Sequence, residues 1–506
     1  MEYRNERSTP LTCHPLFAKN GKGKGGNDIL SMYEYEEIRG VVYSVEFTLV
    51  EAELLARVNI INTKDTETYT YWWSNIAVSE QGNRVYVPAD ETYVTSYRDG
   101  GYKISKAPVT EQMSFPRHTG VSKDYFYDIP KESKKWIACL DGKGVGLFHT
   151  STDNLIGRKT FLWGTGHGGE HWNSRLCNKG NYIEVQAGLC KTQFEHIVLG
   201  PREKICFVEN YSLVDIGESS YTESVKKLSE IAKSKNVSEL PFEKCEYFAP
   251  EIFGSPRGFL TELLRGEKMH PELDFPKESL TPEFEYYYSL IVGKECVGDA
   301  DTAFVSDPLY RNLIKNKSHL TEFDYYILSL IDYANGEFES SVEMINKSLS
   351  IRPREYSVAA ATLIARYVET DMPKAYELAK EACRMNPEHL QTVCLFAEIC
   401  TAAKKYEEFV EFYNQASELV RREGRVRMFV GKCLIELDRI EEAEMFINKD
   451  LLLPNLREGE YSITNLWVEM YRKKIASALG TTVECVSTER VLSEYPIPYE
   501  IDFRMH

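Results

Sequence analysis

The chain has 506 residues with 60 Lys and Arg against 77 Asp and Glu, a net charge of −17, and 43% hydrophobic residues. Such a length predicts roughly two to four domains, and the hydrophobic share excludes wholesale disorder. The acidic balance speaks against a nucleic-acid partner, whose phosphates need Lys and Arg. Residues 1–26 are polar and carry no apolar core ahead of a small-residue cleavage site, so no secretory signal is expected. No apolar run approaches the ~20 residues that cross a bilayer. The twelve cysteines fall singly, without a CxxC pair, which fits reduced thiols in a cytoplasmic protein without membrane contact.

Residues 1–37 read as an irregular segment. Its tract Gly21, Lys22, Gly23, Lys24, Gly25, Gly26 lacks the Lys-Ser/Thr that closes a phosphate loop and reads as a flexible basic stretch. Residues 38–216 read as short β-branched and aromatic runs, at 41–47, 56–61, 68–73, 84–87, 135–140, 145–149, 182–186 and 205–214, separated by Gly, Asn and Asp. No helical pattern alternates with them, so an antiparallel β-sandwich is expected rather than a parallel sheet. Residues 217–283 are punctuated by Pro241, Pro250, Pro256, Pro271, Pro276 and Pro282 and read as a linker with short helices.

Residues 284–480 carry an internal repeat. Pro353 and Pro387 are 34 residues apart, and a frame of that period places Leu328, Gly336, Phe338, Ser341, Ser348 and Pro353 at the small, aromatic and proline positions of a tetratricopeptide unit. The frame continues through Ala375, Ala382 and Pro387, then Tyr406, Tyr413 and Ala416, then Gly431 and Ala443, with Pro454 one place early. Units near 322–355, 356–389, 390–423 and 424–457 follow, although the second lacks the inter-helix Gly. Small residues recur because two antiparallel helices must approach closely, and the proline ends the second helix. A capping helix is predicted at 461–479, a degenerate leading pair at 284–313, and a C-terminal tail at 481–506. The predicted fold is therefore an N-terminal antiparallel β-sandwich followed by an α-helical tetratricopeptide solenoid.

The densest polar and aromatic stretch lies at 161–196, and five of the six tryptophans, at 72, 73, 136, 163 and 172, fall in the β half. Sheets that display indole rings beside carboxylates and amides suit sugars, whose apolar face stacks while the hydroxyls take directional hydrogen bonds. The competing reading is that these tryptophans are sandwich core. Trp72, Trp73, Asn75, Trp163, His167, Glu170, Trp172, Gln186 and Gln193 are the candidate binding residues. Strand alternation puts Glu184 and Gln186 on one face. If 187–192 connects a hairpin, Gln186 faces Gln193 and Glu184 faces Glu195, a carboxylate pair suited to acid/base work or to a solvated sheet face. His167, Gly168, Gly169, Glu170 and His171 spell H-x-x-E-H, the inverted zinc-protease motif, but Gly164, Gly166, Gly168 and Gly169 predict a loop there rather than the helix the motif needs. Neither a metal nor another cofactor is expected. Cys190 reads as a small buried hydrophobe.

The strings 71–78 (YWWSNIAV), 162–164 (LWG), 182–188 (YIEVQAG) and 192–196 (TQFEH) resemble a family of bacterial proteins. That family pairs a domain of unknown function, similar to galactose mutarotase sandwiches, with a C-terminal tetratricopeptide array. The resemblance covers residues 40–215 and most of 284–480. It implies the supersandwich used by sugar epimerases, polysaccharide lyases and accessory domains of glycoside hydrolases, a fold that hosts several activities. Mutarotases of this kind use a Glu base and a His acid, which makes Glu184, Glu195, His171 and His196 the catalytic candidates by residue type and location. The strand-rich stretch is short for the complete large sandwich, so an incomplete one is expected.

Two functions follow from these readings. The first is a carbohydrate-binding protein that processes its ligand by glycoside hydrolase-like or epimerase-like acid/base chemistry. The second is a non-catalytic scaffold whose helical repeats hold a peptide or protein partner, although the groove positions show no clear pattern of Asn, Lys or Arg.

Overall fold

The structure, a computed structural model, describes residues 14–23, 25–98, 101–177, 180–243, 245–457, 460 and 462–505. The chain forms two compact units, the first made of the stretch up to Phe284 together with Met505 and the second running from Glu285 to Arg504.

The first unit is built from antiparallel strands. In chain order they are β1 (Phe17–Lys22), β2 (Asp28–Glu36), β3 (Val41–Val50), β4 (Glu53–Asn62), β5 (Thr68–Thr70) and β6 (Trp73–Ser79). Then come β7 (Arg84–Tyr86), β8 (Glu91–Arg98), β9 (Gly101–Pro108), β10 (Lys123–Tyr127), β11 (Trp136–Leu140) and β12 (Val145–Ser151). The last are β13 (Gly157–Leu162), β14 (Tyr182–Gly188), β15 (Ile197–Leu199), β16 (Lys204–Asp215) and β17 (Glu246–Tyr247). Nine strands form one sheet, in the order β17-β1-β2-β3-β4-β16-β12-β11-β7, and six form a second, β6-β14-β13-β10-β8-β9, while β15 and β5 pair by themselves.

The period-two pattern explains why the large sheets stack. Ile137 and Cys139 of β11 share a cluster with Tyr125 and Tyr127 of β10, Leu162 of β13 and Ile183 and Val185 of β14. Along β3, Val41, Tyr43 and Val45 pack with Val58, Ile60 and Phe207 on that same inner side. The alternate residues of the nine-stranded sheet face outward and are covered as well.

That cover is the segment expected to be a linker. Helix α2 (Tyr221–Ser234) lays Leu228 and Ala232 on Trp136, Ala138, Leu140 and Phe148. Phe242 packs on Ile29, Leu55 and Val208, and Met269, Leu273 and Phe275 pack on Phe17, Tyr33, Tyr35 and Val42. The stretch is therefore one face of the β unit, because a sheet with apolar side chains on both faces needs a layer on each. The N-terminal stretch read as irregular is corrected too: residues 17–22 and 28–36 are β1 and β2, in register from Phe17↔Tyr33 to Lys22↔Asp28.

The second unit is helical. After α3 (Arg257–Arg265) of the first unit, two short helices, α4 (Glu285–Ile291) and α5 (Leu309–Lys315), precede four antiparallel pairs. The first three pairs are α6 (Glu322–Ala334) with α7 (Phe338–Ile351), α8 (Glu355–Tyr367) with α9 (Met372–Met385), and α10 (Leu390–Ala402) with α11 (Tyr406–Gln415). After the short α12 (Glu418–Arg422), the fourth sets α13 (Gly424–Glu436) against the short α14 (Ile440–Ala443), and a long α15 (Ser462–Leu479) follows. Close approach is made by small residues: Ser329 Oγ donates to the Ser341 carbonyl at 2.8 Å, and Ala375 and Ala382 are fully buried. A Cβ on Gly431 would stand 2.6 Å from Ile447. Thr321 and Asp324 cap α6 reciprocally. The result is a tetratricopeptide-like solenoid.

Candidate functional site

The outward face of the six-stranded sheet carries a continuous polar row. Asn75 Nδ2 donates to Glu184 Oε2 at 2.6 Å, and Gln186 Nε2 donates to the same oxygen at 2.7 Å. Gln193 Nε2 donates to Gln186 Oε1 at 2.8 Å, and Lys159 Nζ donates to Gln193 Oε1 at 2.7 Å. Lys159 also pairs with Asp124 at 2.6 Å, whose other oxygen accepts from Thr95 Oγ1 at 2.9 Å. Register explains the row: Gln186 stands opposite Asn75 on one side and Lys159 on the other. Aromatic rings flank it. Trp73 lies edge-on to Phe126 at 5.8 Å, Phe194 reaches Phe126 at 6.4 Å, and the Lys159 ammonium sits over Phe126 and Phe161. Asn75 and Phe194 are exposed and Glu184 and Gln193 half-buried, so solvent reaches the row at its β6 end and along the 189–196 loop.

Several predicted residues do not reach this face. Trp163 and Trp172 are fully buried; Trp163 packs edge-on against Phe161 and Tyr182 and offers no stacking platform. Trp72 belongs to the inner core through Tyr43 and Phe207. The expected 184/195 carboxylate pair does not form. Strand β14 is flanked by β13 and β6, so the chain after residue 188 has no free edge to pair with and folds over the face as a loop. Gln193 meets Gln186 by that route, whereas the exposed Glu195 turns back to accept from the Thr192 N–H at 2.8 Å and its hydroxyl at 3.1 Å. His196 is exposed and packs edge-on against Tyr69 at 4.6 Å. Burial, with the Glu195 charge adding to it, pushes the Cys190 thiol up to about 11.

The H-x-x-E-H segment requires a correction of backbone. It opens an α-helix, α1 (His167–Leu176). The glycines are there for space, since a Cβ on Gly169 would stand 2.0 Å from the Trp163 carbonyl and one on Gly166 2.5 Å from that of Gly120. The helix is pressed onto the strand ends, and this packing outweighs the low helix propensity of glycine. His167 is exposed and His171 half-buried. Glu170 accepts from Arg117 at 2.8 Å and from Asn181 at 2.9 Å, and Arg117 also holds Glu80 at 2.6 Å. Among the described residues no group of three or more His, Cys, Asp or Glu stands close enough to hold a metal ion.

A second polar cluster, absent from the sequence reading, lies between the sheets. Glu209 Oε2 accepts from His149 Nε2 at 3.0 Å, Ser74 Oγ at 2.6 Å and Tyr211 OH at 3.0 Å. Both His149 and Glu209 are buried. Burial pushes the imidazole below its ordinary value, so it is the neutral ring that donates. Burial alone would raise the Glu209 carboxyl, but His149, Ser74 and Tyr211 together hold it low. Its sequence signal was His149 at an inward position between Ile137 and Tyr211, visible only once the strands are paired.

Residues 8–212 match a domain of unknown function, DUF5107. No curated protein matches the chain in sequence. Among solved structures, a TPR-domain containing protein from Parabacteroides distasonis is similar over 94% of this chain and 76% of its own, at 16% identity and a TM-score of 0.66. That likeness extends the fold across both units. A galactose mutarotase-like protein from Clostridium acetobutylicum is matched over 40% of this chain and 67% of its own, at 9% identity and a TM-score of 0.31. A galactose mutarotase related enzyme from Lactobacillus acidophilus is matched over 38% and 70%, at 8% identity and 0.25. No helix among the described residues is long and apolar enough to cross a membrane.

Proposed function

We propose that the first unit binds a carbohydrate on the outward face of the six-stranded sheet. The observation that supports it is the chain of amide, carboxylate and ammonium groups from Asn75 to Asp124, open to solvent at Asn75, Glu184 and Gln193 and bordered by Trp73 and Phe194. Alternating donors and acceptors beside rings match the hydroxyls and apolar face of a sugar. Processing is the finer form of this reading, and Glu184 is the carboxylate placed for it. Glu195, His196 and His171 stand on other elements, so a bond-breaking step would need a partner brought by the ligand or by movement of the 189–196 loop. The described cysteines are free thiols, which supports a cytoplasmic setting.

Thermal unfolding of the full chain against a panel of neutral mono- and oligosaccharides tests the proposal, because a ligand that binds only the folded state raises the melting temperature. A shift of several degrees that disappears in Asn75→Ala and Gln193→Ala is expected. A panel without any shift would remove the reading.

A second reading has its own observation. On α8, Leu363 and Tyr367 are exposed although they are large and apolar, one helical turn apart, as in a surface that receives a peptide. A peptide or protein partner at the helical array would be weakened by Leu363→Asp with no change in sugar response.

A further inference from the structure

The two large sheets of the first unit have four edge strands, β17 and β7 on one and β6 and β9 on the other. An edge strand presents main-chain N–H and C=O groups to any extended chain that comes alongside, and folded proteins blunt such edges with short strands, charges or proline. Three of the four edges here are blunted. β17 has two residues and β7 three, too few to template another strand. β9 has eight, but Lys103 and Lys106 are exposed on it, on opposite faces by strand alternation, and it closes with Pro108, which has no N–H to give.

β6 has none of these devices. Its seven residues, Trp73 to Ser79, include no charge and no proline. The ladder with β14 runs without a bulge from Trp73↔Gly188 to Ser79↔Tyr182, so nothing twists the edge away. Alternate main-chain groups of β6 point away from β14. Among the described residues, the main chain of residues 74–78 makes no hydrogen bond outside that ladder. Apolar surface accompanies the open groups. Ile76 and Val78 pack on the inner cluster yet remain half-buried, and a strand laid alongside would cover the rest of them. Asn75, Ala77 and Ser79 are exposed on the outward face.

The side chains decide what lies alongside. A foreign peptide added to a sheet edge draws its specificity from pockets that take alternate side chains, and the outward side of β6 offers the small Ala77 and Ser79 instead. A second β6 running antiparallel fits. With Ile76 opposite the partner subunit's Ile76, Trp73 meets the partner subunit's Ser79, and Asn75 meets the partner subunit's Ala77. Each larger outward side chain then stands against a small one, the inward residues stay inward, and no charge opposes another. One two-fold operation closes both open edges. We infer that the chain forms a two-fold dimer by antiparallel pairing of β6 with β6 of a second copy, which joins the two six-stranded sheets into one. The polar row of each copy ends at Asn75, and in this register the two Asn75 side chains are diagonal neighbours, roughly 7–8 Å apart at the backbone. The partner subunit therefore extends the row across the axis. The pairing does not rest on the carbohydrate reading, because the bonds that form it are main-chain bonds.

Sedimentation velocity of the full chain from roughly 1 to 100 μM, with hydrogen exchange at both ends of that range, tests the pairing. A monomer–dimer equilibrium is expected, with slower exchange of amides within residues 74–78 at the higher concentration. Ala77→Lys places an ammonium on the exposed face of β6 without entering the core and should weaken the dimer about tenfold or more. Ile104→Lys, at an exposed position of β9, should leave it unchanged. Hydrogen exchange on the unaltered chain keeps the test informative should Ala77→Lys fail to fold. A chain that is monomeric at about 100 μM overturns the inference and leaves β6 to an extended peptide. A dimer whose amides at 74–78 exchange equally fast at both concentrations overturns it as well. So does a dimer that tolerates Ala77→Lys and is lost in Ile104→Lys, which would place the contact on β9. Sugar binding is no part of the readout, so the carbohydrate reading can fail while the pairing stands.

Discussion

Gly336 and Thr370 stand 34 residues apart and share a left-handed backbone, with φ of 81° and 54°. Lys404 and Asp438 continue the series at the same spacing, each with φ of 58°. These are the turns between the two helices of each unit, and only the first carries the residue that adopts this conformation without a Cβ penalty. Thr370 is the most strained, being β-branched. Thr370→Gly is expected to stabilise the chain by about 1 kcal/mol, and Lys404→Gly and Asp438→Gly by somewhat less. Thermal or urea unfolding of the three variants checks this; a loss of stability in Thr370→Gly would contradict the backbone geometry.

Helix α1 gives a test of opposite sign. A methyl group on Gly169 would stand 2.0 Å from the Trp163 carbonyl, which cannot yield without moving a buried strand end. Gly169→Ala should cost roughly 1–3 kcal/mol even though alanine is the better helix former. If α1 were a free surface helix, the same change would stabilise.

Glu34 sets a pH dependence. It is buried, accepts from the Tyr35 and Ser255 N–H groups, and burial pushes its carboxyl from the ordinary 4.5 up to about 7. Between those two values the folded chain holds a proton that the unfolded chain has released, so stability from this group falls as pH rises from 4.5 to 7. The full effect is on the order of 3 kcal/mol. Unfolding free energies at pH 5, 6, 7 and 8 should show the decline in the wild type and a flatter profile in Glu34→Gln, the slope rather than the absolute value being the readout.

The buried Glu209 cluster behaves in the other direction. Its carboxylate is held low by three donors, so the stability it adds is present above the unfolded carboxyl value and is lost as pH falls through the folded one. Glu209→Gln removes the charge that three donors serve and is expected to cost about 2 kcal/mol at neutral pH, read by urea unfolding. His149→Phe should lose a comparable amount, by leaving one hydrogen bond unmade.

What the sequence discloses follows from which forces act locally. Alternation in Tyr182–Gly188 placed Glu184 and Gln186 on one face, and the period of 34 located the helical pairs, because both patterns reside in consecutive residues. Lys159, Asp124 and Thr95 were illegible as partners of that face: their strands become neighbours only through the sheet order. β1 was hidden because Lys19, almost fully buried, donates to the Glu272 carbonyl at 2.6 Å, so a core-facing position carries a cation. Glycines at 166 and 169 looked like helix breakers, whereas their actual role is to let α1 touch the main chain beneath it.

The covering segment changes what counts as the β domain. The matched family region stops at residue 212, inside β16, while α2, β17 and the residues that seat on Phe17 and Tyr33 come later in the chain. A piece excised at that point would lose the end of a central strand, strip the greasy patches around Tyr33, Phe148 and Val208, and leave β1 as a bare rim. Such a piece would stick to copies of itself, so recombinant work on this half should carry the polypeptide through Phe284.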